Sequence, residues 1–296
     1  MNAGADAGLR LRILAAYATI YLVWGSTFLV IRLGVRSLPP MLFTGGRFLF
    51  AGALLATIAV LLRERFPRTP LEWRYMFAFS LLMITCSSGL STIALKRLPS
   101  NEGALLSAGS ALWIAWLGAL GPKGHKLTLR GNLGLLLGLA GVALLVWPRD
   151  TTSSGHFGWQ SLVLIGSLSW AIGTVLYRNA ALQVGPIALN AVMMLLGGTW
   201  LLLAGTATGE VPEWRWRADG LAAMAYLAVF GSALAYTAYT WLLKHSPADR
   251  VGTFAYVNPA IAAVLGWVVL GEVLAPTQIA GMLVVLIGVA LVTLAR

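Results

Sequence analysis

The sequence predicts an all-α polytopic membrane protein: ten transmembrane helices arranged as two inverted-topology five-helix repeats around a central cavity. Three observations predict it. The first is composition: of 296 residues, 58% are hydrophobic, 10% are charged and a further 33 are glycine. An ordinary soluble domain is about 45–50% apolar and about 25% charged. A single core stops growing near about 250–300 residues, so the surplus apolar surface has to face lipid. The second is punctuation: charges and prolines cut the chain into ten apolar runs, each close to the roughly 20 residues a helix needs to cross a bilayer core about 30 Å thick. The third is self-similarity, with residues recurring at an offset of 146 to 148 positions.

The first span, 13–33, follows Arg10 and Arg12 and closes on Arg32 and Arg36; it has no clear small-residue cleavage site and reads as an uncleaved span. The second, 40–61, opens on Pro39-Pro40 and stops before Arg63. The third, 73–95, follows Pro70 and ends at Lys96-Arg97, and the fourth, 100–121, runs from Pro99 to Pro122. The fifth, 129–147, ends at Pro148. A Thr-Thr-Ser-Ser-Gly run then leads to the sixth, 159–178, which finishes on Arg178. The seventh, 186–207, opens on Pro186; a polar stretch from Gly209 leads to the eighth, 219–242, which stops before Lys244. The ninth, 249–270, lies between Asp249-Arg250 and Gly271-Glu272, and the tenth, 276–295, between Pro276 and Arg296.

Twenty-one Lys and Arg against 10 Asp and Glu give a formal charge of +11. In a soluble chain that balance points to nucleic acid. Here the basic residues form short clusters between apolar runs, such as Arg63, Arg65 and Arg68, which is the positive-inside pattern of a membrane protein and predicts no nucleic-acid partner. With the amino terminus inside, thirteen Lys and Arg fall on the cytoplasmic side and eight outside. The expectation is an inner (plasma) membrane protein with both termini cytoplasmic. Cys86 is the only cysteine, and His125, His156 and His245 all fall in polar connections, so the sequence predicts no disulfide, metal or cofactor.

Trp24 and Arg32 recur as Trp170 and Arg178 at offset 146, Leu95-Lys96 and Pro99 as Leu243-Lys244 and Pro247 at 148, and Gly141-Val142-Ala143-Leu144 as Gly288-Val289-Ala290-Leu291 at 147. This divides the chain into repeats at 1–148 and 149–296. Five spans is an odd number, so the second copy enters the membrane from the opposite side. Inverted repeats are a feature of secondary transporters, whose substrate site lies near the midplane between the copies.

Trp24-Gly25-Ser26-Thr27-Phe28 with Arg32, Pro40 with Arg47-Phe48, Asn258-Pro259 with Gly266 and Gly271-Glu272, and the closing Gly281 to Gly288-Val289 pattern resemble the drug/metabolite transporter superfamily, specifically its EamA-type ten-span exporters. The resemblance covers nearly the whole chain and looks closest to the aromatic amino acid exporters of that group. It implies outward movement of amino acids and some organic cations. One departure is Gly121-Pro122-Lys123 where the second half has Gly271-Glu272, so any role of that acidic residue is not duplicated.

Trp24, Trp113 and Trp170 lie near mid-span, where an indole N–H needs a partner that hydrocarbon does not offer. They read either as an aromatic wall for an aromatic or cationic substrate or as packing between helices. Trp73, Trp147, Trp159, Trp214, Trp216 and Trp241, at span ends, fit interfacial belts. Arg47 is the one strong charge well inside a span, where such a group costs at least about 2.5–3.5 kcal/mol. It either snorkels to a helix end or holds a substrate carboxylate. Asn258 and Pro259 interrupt the ninth span, freeing carbonyls near Ala255 either for substrate or for a hinge at Pro259. Tyr236, Tyr239, Ser87 and Ser88 offer hydroxyls at depth, and Met83, Met193 and Met194 an adaptable lining. Glu102 and Asp249 sit where carboxylates suit the positive end of a helix, and the stripe Gly131, Gly134, Gly138 and Gly141 fits close helix packing.

No phosphate-binding glycine loop is present, which excludes ATP hydrolysis within the chain. No acidic residue lies at mid-span, which leaves Glu102, Asp249, Glu272 and His245 as candidates for energy coupling by elimination. The expected function is secondary export of small amphipathic metabolites, aromatic and neutral amino acids first, with the bilayer as the only other partner and a monomer as the expected unit. A nucleotide-sugar or sugar-phosphate antiporter would need a basic cluster at cavity depth, where only Arg47 stands. A non-transporting scaffold or scramblase is a further alternative. An intramembrane enzyme would need clustered aspartates or a histidine at depth, and neither occurs.

Overall fold

Helix starts are written in proline and carboxylate. The computed structural model describes residues 3–120, 128–146, 154–246 and 251–294. The helical rods among them are α1 (Ala3–Gly34), α2 (Pro40–Leu61), α3 (Pro70–Leu95), α4 (Ser100–Leu120), α5 (Leu129–Val146), α6 (Ser154–Asn179), α7 (Pro186–Ala207), α8 (Ala218–His245), α9 (Phe254–Leu270) and α10 (Pro276–Leu294). Proline stands at the first helical position of α2, α3 and α7, where its missing N–H has no partner to lose. At α3, Thr69 accepts from the Glu72 amide while Glu72 accepts from the Thr69 amide, a capping box that starts the helix three residues before the apolar run expected from 73.

Seven of these helices are long and apolar enough to cross a membrane; the shorter apolar stretches Leu129–Leu144, Val257–Leu270 and Pro276–Gly288 occupy the fifth, ninth and tenth expected spans. The protein is an all-helical polytopic membrane protein. Leu22, Leu61, Phe50, Leu136 and Trp267 are exposed on its outer face, where lipid solvates them. The Gly121-Pro122-Lys123 departure, His125, Trp147, Asp249 and the Arg296 end lie outside the described residues.

Two helix pairs form the tightest contacts, and both run antiparallel. On α2 and α7, Gly45 meets the Gly198 carbonyl, Gly52 meets Ala191 and Leu195, and Gly205 meets Leu42. On α5 and α10, Gly141 meets Gly281 and Val285 while Gly288 meets Gly134 and Gly138. A Cβ on Gly141 would lie 2.6 Å from the Val285 amide, so the glycine stripe is what lets these backbones approach. Carboxylates clamp the first pair from both ends. Glu64, just past α2, accepts from the Ile187 and Ala188 amides at the start of α7 (2.9 and 2.8 Å). Glu210, just past α7, accepts from the Met41 and Leu42 amides at the start of α2 (both 2.9 Å). The remaining packing also repeats when five helices are added: α1 packs on α8 and α9, and α6 packs on α3 and α4.

The helices between these pairs are irregular. α3 is π-helical over Ser80–Gly89 and α8 over Leu227–Leu234, at starts 147 residues apart. α4 is interrupted at Ala108–Gly109, and a turn at Gly252–Thr253 precedes α9, which carries Pro259. The break in α4 needs no proline. Its amides at Ala108, Gly109, Ala111 and Leu112 bond three residues back, tightening the turn as in a 3₁₀ helix.

Candidate functional site

These irregular stretches meet around one cavity. It has a volume of about 140 Å³ and is walled by α1, α2, α3, α4, α6, α8 and α9. Its largest surfaces are aromatic. Trp24 lies edge-on to Trp170 (ring centroids 5.6 Å), Tyr236 (5.6 Å) and Phe254 (5.2 Å), and Trp170 lies edge-on to Tyr236 (5.5 Å). Trp24 Nε1 donates to the Gly231 carbonyl within the π-helical part of α8 (3.1 Å). Trp170 Nε1 is buried and turned toward the Tyr239 hydroxyl without a short hydrogen bond.

Arg47 is 6% exposed and lines the same cavity, its guanidinium carbon 4.5 Å from the Phe48 ring centre. Its Nε has no partner. The ion pairs among the described residues join Arg65 to Glu72, Lys96 to Glu213 and Arg217 to Asp219, and no acidic side chain lines the cavity. A buried cation left without an anion is costly, so the site is poised for an anionic group.

Hydroxyls and one amide complete the wall. Ser88 and Tyr236 share a hydrogen bond (3.3 Å). Thr27, Ser107 and Ser167 donate to their own helices, at the carbonyls of Trp24 (2.7 Å), Gly103 (2.8 Å) and Leu164 (2.8 Å). The Asn258 amide is oriented so that its nitrogen donates to the carbonyls of Tyr21 and Phe254 (both 3.2 Å), tying α9 to α1. Pro259 has no N–H to offer the Ala255 carbonyl one turn back, and both residues line the cavity.

Of the residues singled out from sequence, Trp24, Arg47, Ser87, Ser88, Trp170, Tyr236, Asn258 and Pro259 come together in this lining. Tyr239 sits behind it, 1% exposed, in ring contact with Trp24 (5.1 Å) and Trp170 (5.4 Å) and hydrogen-bonded to Thr174 (3.1 Å). Met83 is 1% exposed and packs on Gly173 in the core, away from the lining. Trp113 is half-buried and edge-on to Trp116 (6.2 Å), also outside the lining. Met193 and Met194 are core residues. Glu102 does not cap a helix end; its carboxylate accepts from the amides of Gln160 (2.6 Å) and Gln278 (3.3 Å). The cap on α4 comes from Glu272, which accepts from the Ser100 and Asn101 amides (2.9 and 3.2 Å).

Sequence reading passed over Ser91, Ser107, Ser167 and Phe254 and gave Thr27, Phe28 and Ser110 no place in the site, although Thr27 and Phe28 stand in the first-span motif. A signal exists for some of them: Ser87 with Ser91, and Ser107 with Ser110, are spaced four and three apart, which places each pair on one helix face.

Comparison with known proteins extends the picture. Residues 12–147 and again 158–294 match the EamA-like transporter family. The inner membrane transporter YedA of Escherichia coli (strain K12) is 35% identical over 289 residues, 97% of this chain and 92% of its own. The transporter YvbV of Bacillus subtilis (strain 168) is 28% identical over 285 residues, 93% and 89% of the two chains. A WAT1-related chloroplastic protein of Arabidopsis thaliana is 27% identical over 281 residues, 92% of this chain and 67% of its own. A protein of known crystal structure superposes with a TM-score of 0.72 at 21% identity, covering 96% of this chain and 98% of the other, a likeness of fold.

Proposed function

The chain belongs to the EamA-like transporter family, and from that premise we propose that it is a secondary transporter exporting small amphipathic metabolites, aromatic and neutral amino acids foremost. The observation that carries this reading is Arg47: a buried guanidinium with no anion beside it among the described residues, next to aromatic rings in a cavity they line without an acidic side chain. A carboxylate takes such a group bidentately, and an aromatic or aliphatic side chain is accommodated by Trp24, Trp170 and Tyr236. One lining arginine suits one carboxylate better than the multiple charges of a sugar phosphate.

Transport proceeds by alternating access of two inverted five-helix repeats, ten spans in all, in an inner-membrane protein with both termini cytoplasmic. Support comes from the doubled family match, the antiparallel pairing of α2 with α7 and of α5 with α10, and the exchanged caps from Glu64 and Glu210. Pro259 serves as the hinge in α9. The test is efflux of labelled amino acids from reconstituted vesicles, with and without an imposed proton gradient. Accumulation of aromatic and neutral amino acids in the trans compartment is expected; no movement or binding of any amino acid by folded, inserted protein overturns the reading.

A further inference from the structure

The cavity is polarised, and the polarity goes beyond a carboxylate site. Its one lining cation sits on α2. Arg47 lies over Phe48, and Phe48 touches Tyr236 (5.9 Å) on α8. The other wall is the continuous packing of α9, α1, α4 and α6. There Thr27, Ser107 and Ser167 each donate their single hydroxyl proton to a carbonyl of their own helix. A hydroxyl has one proton and two lone pairs, so these three groups offer the cavity acceptors only. Ala255 adds a fourth acceptor on the same wall, because Pro259 cannot donate to its carbonyl. Ala255 stands 148 positions after Ser107, so both interrupted helices present an acceptor at the matched place.

Acceptors without an accompanying negative side chain suit a group that brings several donors and a positive charge. We infer that this wall, through Thr27, Ser107, Ser167 and the Ala255 carbonyl, recognises the ammonium group of a zwitterion whose carboxylate lies at Arg47. The inference rests on the amino acid reading above and narrows it: both charges of the substrate are read, so the carboxylic acid without its amine, and the amine without its carboxylate, are poor ligands.

The experiment is competition in vesicles carrying the full chain, with labelled phenylalanine as the tracer and 3-phenylpropionate and 2-phenylethylamine as the probes. Unlabelled phenylalanine should compete at least ten-fold better than either probe. Thr27→Val, Ser107→Ala and Ser167→Ala should each raise the KM for phenylalanine several-fold while leaving inhibition by 3-phenylpropionate unchanged. Equal competition by 3-phenylpropionate in the unaltered protein overturns the inference even where every variant fails to insert, as does equal competition by 2-phenylethylamine. Variants that weaken phenylalanine and 3-phenylpropionate alike also overturn it. If phenylalanine is neither transported nor bound, as read by its effect on thermal unfolding in detergent, the amino acid reading falls too; transport without discrimination removes only the present inference.

Discussion

The two halves agree in their scaffold and differ in their cavity walls. Glu64 and Glu210, 146 positions apart, make the same cap on opposite ends of the α2–α7 pair. The π-helical stretches of α3 and α8 also correspond. Trp24 and Trp170 correspond in sequence, yet one indole N–H donates to the Gly231 carbonyl and the other only approaches the Tyr239 hydroxyl. Asn258-Pro259 stands where the first half has Ser110-Ala111, and Arg47 corresponds to Met193, a core residue. A frame that repeats in the α2–α7 caps and the π-helical stretches thus carries walls that differ, and the site has two unlike ends. That is what an asymmetric small molecule requires.

The contrast can be broken most severely at its largest asymmetry. Arg47→Gln should lower amino acid transport about 100-fold, since losing one member of a buried charge pair costs about 2–5 kcal/mol; retained transport with unchanged KM in vesicles would remove the anion site. The symmetric frame comes next. Gly141→Leu should destabilise the protein by roughly 1–3 kcal/mol through overpacking against Val285, read as a lower unfolding temperature in detergent. The tryptophan pair sharpens the comparison further. Both Trp24→Phe and Trp170→Phe shrink a buried ring, and Trp24→Phe, which also removes a made hydrogen bond, should cost about 1 kcal/mol more stability, while Trp170→Phe slows transport. Smallest and most alike should be Glu64→Gln and Glu210→Gln, each weakening a cap by about 0.3–1 kcal/mol; a several-fold difference between them would show that the frame is less symmetric than its hydrogen bonds.

Much of this was legible before any coordinates. Depth along an apolar run singled out Trp24, Trp170, Arg47 and Asn258, because a polar group at mid-span must face protein or water wherever the helix turns. The same logic put Trp113, Met83 and Tyr239 in the lining and failed there, since nothing in one sequence says which side of α4 meets the cavity, which face of α3 meets Gly173 or which ring lies behind another. The π-helical turns left no readable mark: ten residues are too few for a change of helical period to separate from ordinary variation. Ser107 and Ser167 were invisible for a related reason, because a serine within an apolar run bonds back to its own helix whether it faces lipid or a cavity. Glu102 could be understood only once α4, α6 and α10 were packed, because both its partners come from the other half of the chain.

The exchanged carboxylate caps have a mechanical consequence. Sliding α2 one turn along α7 would pull Glu64 from the start of α7 and Glu210 from the start of α2 together. The glycine seam between them resists rolling as well, since any side chain turned into it meets the facing backbone. The pair is thus bolted from both ends, and it can move only as one piece.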